Sequence, residues 1–498
     1  MRSALRFALP FGVRSAFASG VLTVLLLTGA PALHAQVTGG EVAARRDSLA
    51  ARMGDGALVA FGGRSPVGHD GRFFQLPAFR YLSDFLEPDA ALVLVSANGR
   101  AETVLFTDPP PVRRQLYDGL REAPADVAAR LGVRVRPLAG MVAFVDSLAQ
   151  RGTPLWELRD FLSADYASRD SLTRGGAFVA ALEARHPGVE VQDAHPLVDA
   201  LRVWKSDAEL ASLRRAIDIT GEAHRAALRT VRPGAYEYEA EATIESTFRR
   251  LGAQRPSFSS IVGSGPNATT LHYAANSRRM EAGDVVVMDI GAEVDGYAAD
   301  VTRTVPVSGR WTPEQRAIYD LVLEAQQAAE QEVRVGAPAL SSVIASVEVR
   351  LRGLAALGLV ESEEALMDPP WPADCERAPQ FCRQGQLWMI HGISHGIGLE
   401  VHDPAGFYDD AGVYVEGDVF TIEPGIYVSL RALSILPDTP RNRQFAAAVR
   451  EAVARYDNVG VRIEDDYRVT SGGLERLSAG APRDPEEIER LMQEGPQP

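Results

Sequence analysis

Residues 285–302 constrain the fold of this chain more than any other part of its sequence. Asp295-Gly296 stands between two runs rich in β-branched residues, and this arrangement is a strong signal for a two-residue hairpin turn. In that hairpin Gly291 faces Asp300 across the strands. Asp289 then becomes the diagonal neighbour of Asp300 on the same face of the sheet, with Cβ atoms about 7 Å apart.

Two carboxylates on a buried strand need a partner. The three valines before Asp289 indicate a buried strand, and a buried carboxylate requires a cation or a set of hydrogen bonds. The diagonal spacing lets both carboxylates converge on two cations about 3.5–4 Å apart. A one-residue bulge would move Asp300 to the opposite face. The alternative to a metal site is that both acids simply face solvent.

Three further segments carry histidines or acids in patterns that fit a metal site. Residues 391–402 hold three of the nine histidines, and the glycines among them favour a loop leading into a strand over a helix. Glu423 ends an apolar strand, while Arg462 and Glu464 alternate on one face of another. Each pattern alone is weak, since a single Glu after a strand is usually a surface residue.

Composition limits the chemistry that these residues can support. The 51 basic residues include a single lysine, Lys205, so no phosphate-binding P-loop lysine is available. Two cysteines cannot build a four-cysteine centre, and a metal would therefore rest mainly on His, Asp and Glu. The net charge of −15 argues against nucleic acid as the main partner.

Residues 1–35 have the pattern of a cleaved export signal. Three arginines lie within the first 14 residues, an apolar centre follows at residues 21–27, and small residues precede Gln36. A membrane anchor is the alternative, but the apolar part is well short of the ~20 residues that a spanning helix needs. The sequence predicts a secreted or periplasmic protein with no stable membrane anchor, whose mature chain begins near Gln36.

The two cysteines fit an exported protein. Pro379 lies between Cys375 and Cys382 and disfavours a continuous helix, so the two Cα atoms can approach to bridging distance. We therefore expect an intrachain disulfide. Two buried thiols are the alternative.

The chain divides into two blocks near residue 204. In the first, residues 36–204, strand-like runs such as residues 90–95 alternate with helical stretches such as residues 142–149 and 155–161, which predicts an α/β domain. The second block, residues 205–498, contains all the candidate ligands. Its predicted helices begin at the capping boxes of Ser206 and Thr312 and near Tyr236, and its predicted strands are residues 285–294, 297–305, 418–428 and 459–469.

Taken in order, these patterns resemble one enzyme family. Asp289 stands in Asp-Ile-Gly, Asp300 in Ala-Asp-Val-Thr-Arg-Thr, His395 in His-Gly-Ile-Ser-His-Gly-Ile-Gly, Glu423 in Ile-Glu-Pro-Gly-Ile-Tyr and Glu464 in Val-Arg-Ile-Glu-Asp-Asp. The set resembles the pita-bread dinuclear metallopeptidases, within them the Xaa-Pro aminopeptidase (aminopeptidase P) and prolidase branch. The resemblance implies an α/β amino-terminal domain of the creatinase and aminopeptidase P type, and an α+β pita-bread catalytic domain with a pseudo-twofold curved sheet.

The resemblance also implies a ligand set for two divalent cations. Asp300 and Glu464 would bridge both ions, Asp289 would bind one, and His395 with Glu423 would bind the other. A shell of four carboxylates and one imidazole suits Mn2+, although Co2+, Fe2+ or Zn2+ would also bind. A water bridging the ions would lose a proton and become the nucleophile.

Other residues take roles by the same resemblance. His272, in Gly-Pro-Asn-Ala-Thr-Thr-Leu-His-Tyr, and His402 would stabilise the tetrahedral intermediate, and Glu423 would also carry the proton. His391 and Arg462 are the predicted substrate-side residues. Arg462 would alternatively pair with a carboxylate or orient the bridging ligands.

The implied activity is hydrolysis of the Xaa-Pro bond at the amino terminus of peptides, by a homo-oligomer that is a dimer or tetramer. An Xaa-Pro dipeptidase is the alternative, because residues 430–457, with Arg441 and Arg443, resemble a prolidase-type insertion that would place a positive group beyond the proline. A creatinase-like hydrolase and a non-catalytic peptide-binding module are further alternatives. Both would be expected to lack the ligand set that this sequence retains.

Overall fold

The computed structural model describes residues 37–66, 72–109, 111–158, 174–408 and 412–494. The predicted export signal at residues 1–35 lies outside them. No helix within these ranges combines the length and the apolar character that a bilayer crossing requires. The division of the chain near residue 204 stays a prediction.

The described part of residues 37–204 forms a six-stranded mixed sheet. Strand β1 (Gly56–Phe61) pairs antiparallel with β2 (Ala91–Ala97), which pairs antiparallel with β3 (Arg100–Phe106). Parallel pairing adds β4 (Arg134–Arg136) next to β3, β5 (Leu155–Leu158) next to β1, and β6 (Val191–Asp193) next to β5. The helices of this part are α1 (Gly39–Met53), α2 (Pro77–Ser83), α3 (Val112–Asp118), α4 (Pro124–Leu131), α5 (Met141–Gln150), α6 (Arg174–Arg185) and α7 (His195–Arg202).

One predicted helix of this block is wrong. The strand predicted at residues 90–95 and the helix predicted at residues 142–149 are confirmed as β2 and α5. Residues 155–158, however, form β5, and residues 159–161 lie outside the described ranges. β5 lies between β1 and β6 with Leu155 and Leu158 buried, so sheet pairing and burial override the weak helical pattern.

The second block starts with helices whose ends the sequence predicts. Ser206 Oγ accepts from Glu209 N and Glu209 Oε2 accepts from Ser206 N, the reciprocal capping box at the start of α8 (Asp207–Ala227). α9 (Glu237–Leu251) follows, and α10 (Pro313–Glu332) begins at the predicted box of Thr312. The later helices are α11 (Ala339–Ala356), α12 (Leu430–Ser434), α13 (Pro440–Arg455) and α14 (Pro485–Gln493).

Short antiparallel strands in this block pack against several apolar clusters, of which one is much the largest. β8 (Ile261–Ser264), β9 (Val285–Ile290) and β12 (Val301–Pro306) form one sheet, while β7 (Arg255–Pro256), β10 (Ala292–Val294) and β11 (Tyr297–Ala298) form another. β13 (Val419–Ile422), β16 (Asp465–Thr470) and β17 (Gly473–Arg476) form a third, and β14 (Gly425–Val428) pairs with β15 (Val459–Arg462). The core includes the fully buried Phe248, Tyr319 and Trp388.

The predicted hairpin register is confirmed. Val294 lies opposite Tyr297 next to the turn, and Asp289 lies opposite Thr302 farther along, which is one unbroken register. The turn residues Asp295-Gly296 have φ values of 51° and 82°, as a two-residue turn of type I′ requires.

The hairpin consists of two paired segments, β10 with β11 and β9 with β12, and no residue is inserted between them. Ala299 N donates to Ala292 O at 3.0 Å, so the register continues across the gap. A Cβ atom on Gly291 would lie 1.8 Å from Ala299 O, and the strands can approach this closely only at a glycine. Asp289 and Asp300 therefore share a face of the sheet, as predicted.

The second pair of acids sits at a similar interruption. β13 pairs with β16, ending at Ile422 opposite Asp465, and β14 pairs with β15 in the same register. Glu423 and Glu464 occupy opposite positions in the gap between the two ladders. The carboxylates of Glu423 and Glu464 therefore start from directly opposite positions on two paired strands.

The histidine segment is a loop, as predicted, but the strand predicted to follow it is absent from residues 403–408. The loop instead runs along the edge of β13. Thr421 N donates to His395 O at 2.8 Å, and Glu423 N donates to Ile393 O at 2.7 Å. This pairing with β13 brings His395 next to the carboxylates.

The predicted disulfide between Cys375 and Cys382 is confirmed, with Cα atoms 5.7 Å apart. Its segment is tied to its surroundings by the backbone bond from Met367 N to Cys382 O. Farther along, Asn442 of α13 bonds to the backbone of Asp368 through both its side-chain oxygen and its side-chain nitrogen. The two-thiol alternative is therefore wrong.

Candidate metal centre

Three side chains from separate elements offer ligand atoms within 4.8 Å of one another: Asp300, His395 and Glu464. Asp300 follows β11, His395 lies in the loop along β13, and Glu464 lies between β15 and β16. His395 Nε2 is 3.6 Å from Asp300 Oδ2 and 3.5 Å from Glu464 Oε1. The arrangement has the size of a metal site.

The other two predicted ligands border this group. Glu423 Oε1 lies 3.6 Å from His395 Nε2. Asp289 is close enough to Asp300 and Glu464 for the charges of these carboxylates to affect one another. The structure thus brings together all five side chains that the sequence predicts as ligands.

Several oxygen atoms of the cluster have no hydrogen-bond donor. Within the part of the chain that the structure describes, Asp289 Oδ1, Asp300 Oδ1 and Glu464 Oε1 are buried and have no hydrogen-bond partner. A buried polar atom in that state costs about 1–3 kcal/mol. Hard oxygen donors of this kind, with one imidazole, fit divalent cations.

The pKa shifts of the cluster also indicate a site for divalent cations. Burial is the largest cause that raises the pKa of Glu423 to about 8, and the charge of Glu464 is the next. Burial and neighbouring acids also raise the pKa of Asp300 well above its ordinary range. Burial opposes protonation of His395, yet Glu464 and Glu423 raise its pKa to about 9. The side chains together create a negative potential that bound cations would relieve.

Arg462 pairs with a predicted ligand, which is one of the alternatives that the sequence left open. Its Nη2 donates to Asp289 Oδ2 at 2.5 Å, its Nε to Thr302 Oγ1 at 3.2 Å, and its Nη1 to Tyr427 Oη at 2.8 Å. Sequence reasoning missed Thr302 and Tyr427. Period-two alternation was the available signal, because Thr302 lies two residues after Asp300 and Tyr427 lies four residues after Glu423.

The predicted substrate-side histidine, His391, is held beside the cluster. Its Nε2 shares a hydrogen bond of 2.8 Å with Tyr427 Oη, and its Nδ1 lies 3.5 Å from Glu423 Oε2. Burial and the positive charges of Arg462 and Arg350 lower the pKa of His391 to about 3. The imidazole is therefore neutral at physiological pH.

The two histidines predicted to stabilise the intermediate differ in position. The His402 ring lies 4.4 Å from the His395 ring, measured between centroids, and His402 is exposed. His272 is also exposed, and its ring makes no hydrogen bond to any of the described residues. The roles of both residues stay predictions.

One buried acid, which the sequence did not reveal, organises the segment that carries His272. Glu237 is fully buried at the start of α9, and its two oxygens accept bonds from both ends of this segment. The donors are Ser264 N and Oγ, Asn267 Nδ2, Tyr273 Oη and Arg278 N, at 2.7–3.1 Å for the closest contact of each. Glu237 thus holds together the two ends of the segment that carries His272.

The arginines considered for a prolidase-type site are engaged at the surface. Arg441 pairs with Asp368 at 2.5 Å and Arg443 with Asp438 at 2.6 Å, and both arginine side chains are more than half exposed. Arg350, in contrast, is buried and donates to Gly425 O at 3.3 Å. The positive charge near His391 comes from Arg350 and Arg462.

Comparisons with known proteins agree with this geometry. The model of metallopeptidase family M24 matches residues 211–471, and that of the aminopeptidase P N-terminal domain matches residues 42–156. The Xaa-Pro aminopeptidase of Escherichia coli is 34% identical over 425 residues, covering 83% of this chain and 88% of the relative. The human Xaa-Pro dipeptidase is 33% identical over 319 residues, covering 60% and 64%.

A solved structure shows the same fold. Zinc-substituted Escherichia coli aminopeptidase P in complex with product is 31% identical, with a TM-score of 0.75, covering 93% of this chain and 100% of that one. The predicted fold class, an α/β amino-terminal domain followed by a pita-bread domain, is confirmed by these similarities.

Proposed function

This chain belongs to metallopeptidase family M24, and we propose that it is an exported metal-dependent aminopeptidase that hydrolyses the Xaa-Pro bond at the amino terminus of peptides. One observation carries the proposal: Asp300, His395 and Glu464 offer ligand atoms within 4.8 Å of one another, with both carboxylates buried. The similarity to a protein named Xaa-Pro aminopeptidase, over 83% of this chain, supports the substrate class.

The cluster is proposed to hold two divalent cations through Asp289, Asp300, His395, Glu423 and Glu464. The oxygen-rich donor set favours Mn2+, with Co2+, Fe2+ and Zn2+ as alternatives. When bound, the cations would supply Lewis-acid activation of a water nucleophile and of the scissile carbonyl.

The surrounding side chains would bind the peptide and move protons. Glu423, at the border of the cluster, would accept a proton at a carboxylate oxygen and deliver it to the leaving prolyl nitrogen. Neutral His391, held by Tyr427, would hydrogen-bond to the substrate. His402 and His272 would donate to the oxygen on which negative charge develops.

Aminopeptidase activity is favoured over dipeptidase activity for three reasons. Arg441 and Arg443, which would close a dipeptidase site, are engaged with Asp368 and Asp438 at the surface. The human Xaa-Pro dipeptidase matches only 60% of this chain, whereas the bacterial aminopeptidase matches 83%. An exported enzyme also meets longer peptides.

Export is proposed from residues 1–35, whose composition is typical of a cleaved signal. The disulfide between Cys375 and Cys382 supports this proposal, because disulfides persist mainly in oxidising compartments. Amino-terminal sequencing of the protein recovered from outside the cytoplasm is expected to begin near Gln36. We also propose a homodimer or homotetramer, which light scattering would measure.

The function is tested by comparing turnover of the dipeptide Gly-Pro with turnover of a longer peptide that begins with Gly-Pro. Purified manganese-loaded protein is expected to cleave the longer peptide faster, to bind about two ions per chain, and to lose activity after chelation. Asp300→Asn is expected to lose both bound metal and activity. Asp438→Asn, which alters only an exposed ion pair, is the matched control.

Two outcomes would contradict the proposal in different ways. Cleavage of Gly-Pro alone would assign the protein as a dipeptidase. Fewer than about one bound ion per chain, unchanged by Asp300→Asn, would favour a creatinase-like or non-catalytic protein.

A further inference from the structure

A buried ion cluster outside the metal centre anchors the histidine loop. Asp403, the residue after His402, accepts hydrogen bonds from Arg202 Nη2 and, at 2.9 Å, from Lys205 Nζ. The side chains of Arg202 and Lys205 are only 3% and 2% exposed. Lys205 is the single lysine of the whole sequence. Its ammonium makes this contact, although Lys205 lies more than a hundred residues before the loop in the chain.

Asp403 is also bound to the loop itself. Its Oδ1 accepts from Glu400 N at 3.1 Å, and its backbone N donates to Gly396 O at 3.0 Å. Arg202 Nη2 contacts Glu400 Oε2 as well, at 2.6 Å. Asp403 is therefore joined to the residue after His395 through its backbone N–H, and to Glu400, two residues before His402, through its carboxylate.

The glycines of the loop are explained by this anchor. A Cβ atom on Gly396 would lie 2.2 Å from Asp403 O. A Cβ atom on Gly398 would lie 2.4 Å from Asp403 Oδ2 and 3.0 Å from Lys205 Cε. Gly396 thus leaves room for the backbone of Asp403, and Gly398 leaves room for the Asp403 carboxylate and the end of the Lys205 side chain.

The anchor is ionic. Burial works against ionisation of Asp403, yet the charges of Arg202 and Lys205 hold its pKa below the ordinary value. A buried charge pair of this kind is sensitive to removal of either partner, since the remaining charge is left uncompensated.

We propose that Arg202 and Lys205 are positioning residues of the peptidase, which act through Asp403 to hold His395 and His402 at the metal centre. The inference rests on the function proposed above, because it assigns these cations to the placement of a predicted metal ligand. The four carboxylate ligands stand on or beside paired strands, whereas His395 stands on a loop that is held by its bonds to β13 on one side and by this anchor on the other. Loss of the anchor would therefore weaken metal binding and turnover more than it disturbs the sheets.

The test uses the full mature protein, stripped of metal and titrated with Mn2+ in a calorimeter, together with kcat and KM for a peptide beginning with Gly-Pro. The variants are Asp403→Asn and Lys205→Met, with Lys205→Arg as the conservative variant. Arg46→Met is the matched control: Arg46 is an equally buried cation, but it bonds to Leu82 O and Leu131 O. Glu400→Gln, at a partly exposed side chain, is the milder variant if the others fold poorly.

Asp403→Asn and Lys205→Met are expected to weaken Mn2+ binding and to lower kcat by about 10–100-fold, with a smaller change in KM. Lys205→Arg is expected to recover part of both losses. Arg46→Met is expected to lower the melting temperature only. If Asp403→Asn, Lys205→Met and Glu400→Gln keep the Mn2+ affinity and kcat of the Arg46→Met control, the positioning role is refuted. If the unmodified protein binds no Mn2+, the proposed function itself is refuted, whatever the variants do.

Discussion

Arg462 Nη2 lies 2.5 Å from Asp289 Oδ2, in a buried ion pair between β15 and β9. The same guanidinium donates through Nε to Thr302 Oγ1, which in turn donates to Glu464 Oε2 at 2.7 Å. One side chain therefore orients two predicted metal ligands. Loss of a hydrogen-bond partner of a metal ligand typically lowers metal affinity or activity by about 10–100-fold.

Replacing Arg462 with Met is expected to lower kcat about 10–100-fold and to weaken metal binding, because Asp289 and Thr302 lose their donor. Steady-state kinetics and metal content of the purified protein measure both effects. Arg214→Met is the control, since its pair with Glu475 is more than one-third exposed on both sides and such pairs contribute little. An Arg462→Met enzyme that matches the control would show that the ligands hold their orientation unaided.

Replacing Glu237 with Gln is expected to lower kcat and to lower the free energy of unfolding by about 1–3 kcal/mol. A neutral amide loses one acceptor oxygen and leaves donors of the His272 segment without a charged partner. Chemical denaturation and kinetics report the two effects. Glu245→Gln on the same helix is the control, because among the described residues its carboxylate accepts a hydrogen bond only from Ser260 Oγ. Equal behaviour of the two variants would argue against a role for Glu237 in placing His272.

Removing divalent cations is expected to make the folded state less stable as the pH rises. The folded pKa of Glu423, about 8, exceeds its ordinary 4.5, so the folded state keeps a proton that the unfolded state releases, and stability falls across that interval. The folded pKa of His395, about 9, exceeds 6.5, so the stability that its charge contributes is complete below 6.5 and is lost towards about 9.

The melting temperature of the stripped protein is therefore expected to fall between about pH 6 and about pH 8, and added Mn2+ is expected to reduce this fall because cations replace protons in the cluster. Scanning calorimetry with and without Mn2+ measures it. Glu423→Gln should flatten the dependence in the stripped protein. A melting temperature that rises over this interval without metal would contradict the electrostatic account of the site.

Reducing the disulfide between Cys375 and Cys382 is expected to lower stability by no more than about 2–3 kcal/mol, because the loop that it closes is short. kcat is expected to change little, since this segment packs against α13 through Asp368 and Asn442. Thermal unfolding and kinetics with and without dithiothreitol measure both, and the Cys375→Ser/Cys382→Ser double variant separates reduction from side effects of the reagent. A large loss of kcat would place the segment in the substrate site.

Features that depend on neighbours in the sequence were predictable. The Asp295-Gly296 turn sets the register of its hairpin and thereby places Asp289 and Asp300 on one face. The capping box of Ser206 marks the start of α8 for the same reason, since its donors and acceptors lie three residues apart. The prediction of a helix at residues 155–161 failed because the pairing of β5 with β1 and β6 depends on strands far away in the chain.

By itself, therefore, the sequence determined the turn, the helix starts, the acidic and histidine donor types and, through the order of its motifs, the family. Only the tertiary structure decided which side chains meet: Arg462 with Asp289 across 173 positions, and Lys205 with Asp403 across 198. Turn and cap geometry follow from short-range sterics and hydrogen bonding, whereas the partner of a buried charge follows from the path of the whole chain, which no local pattern encodes.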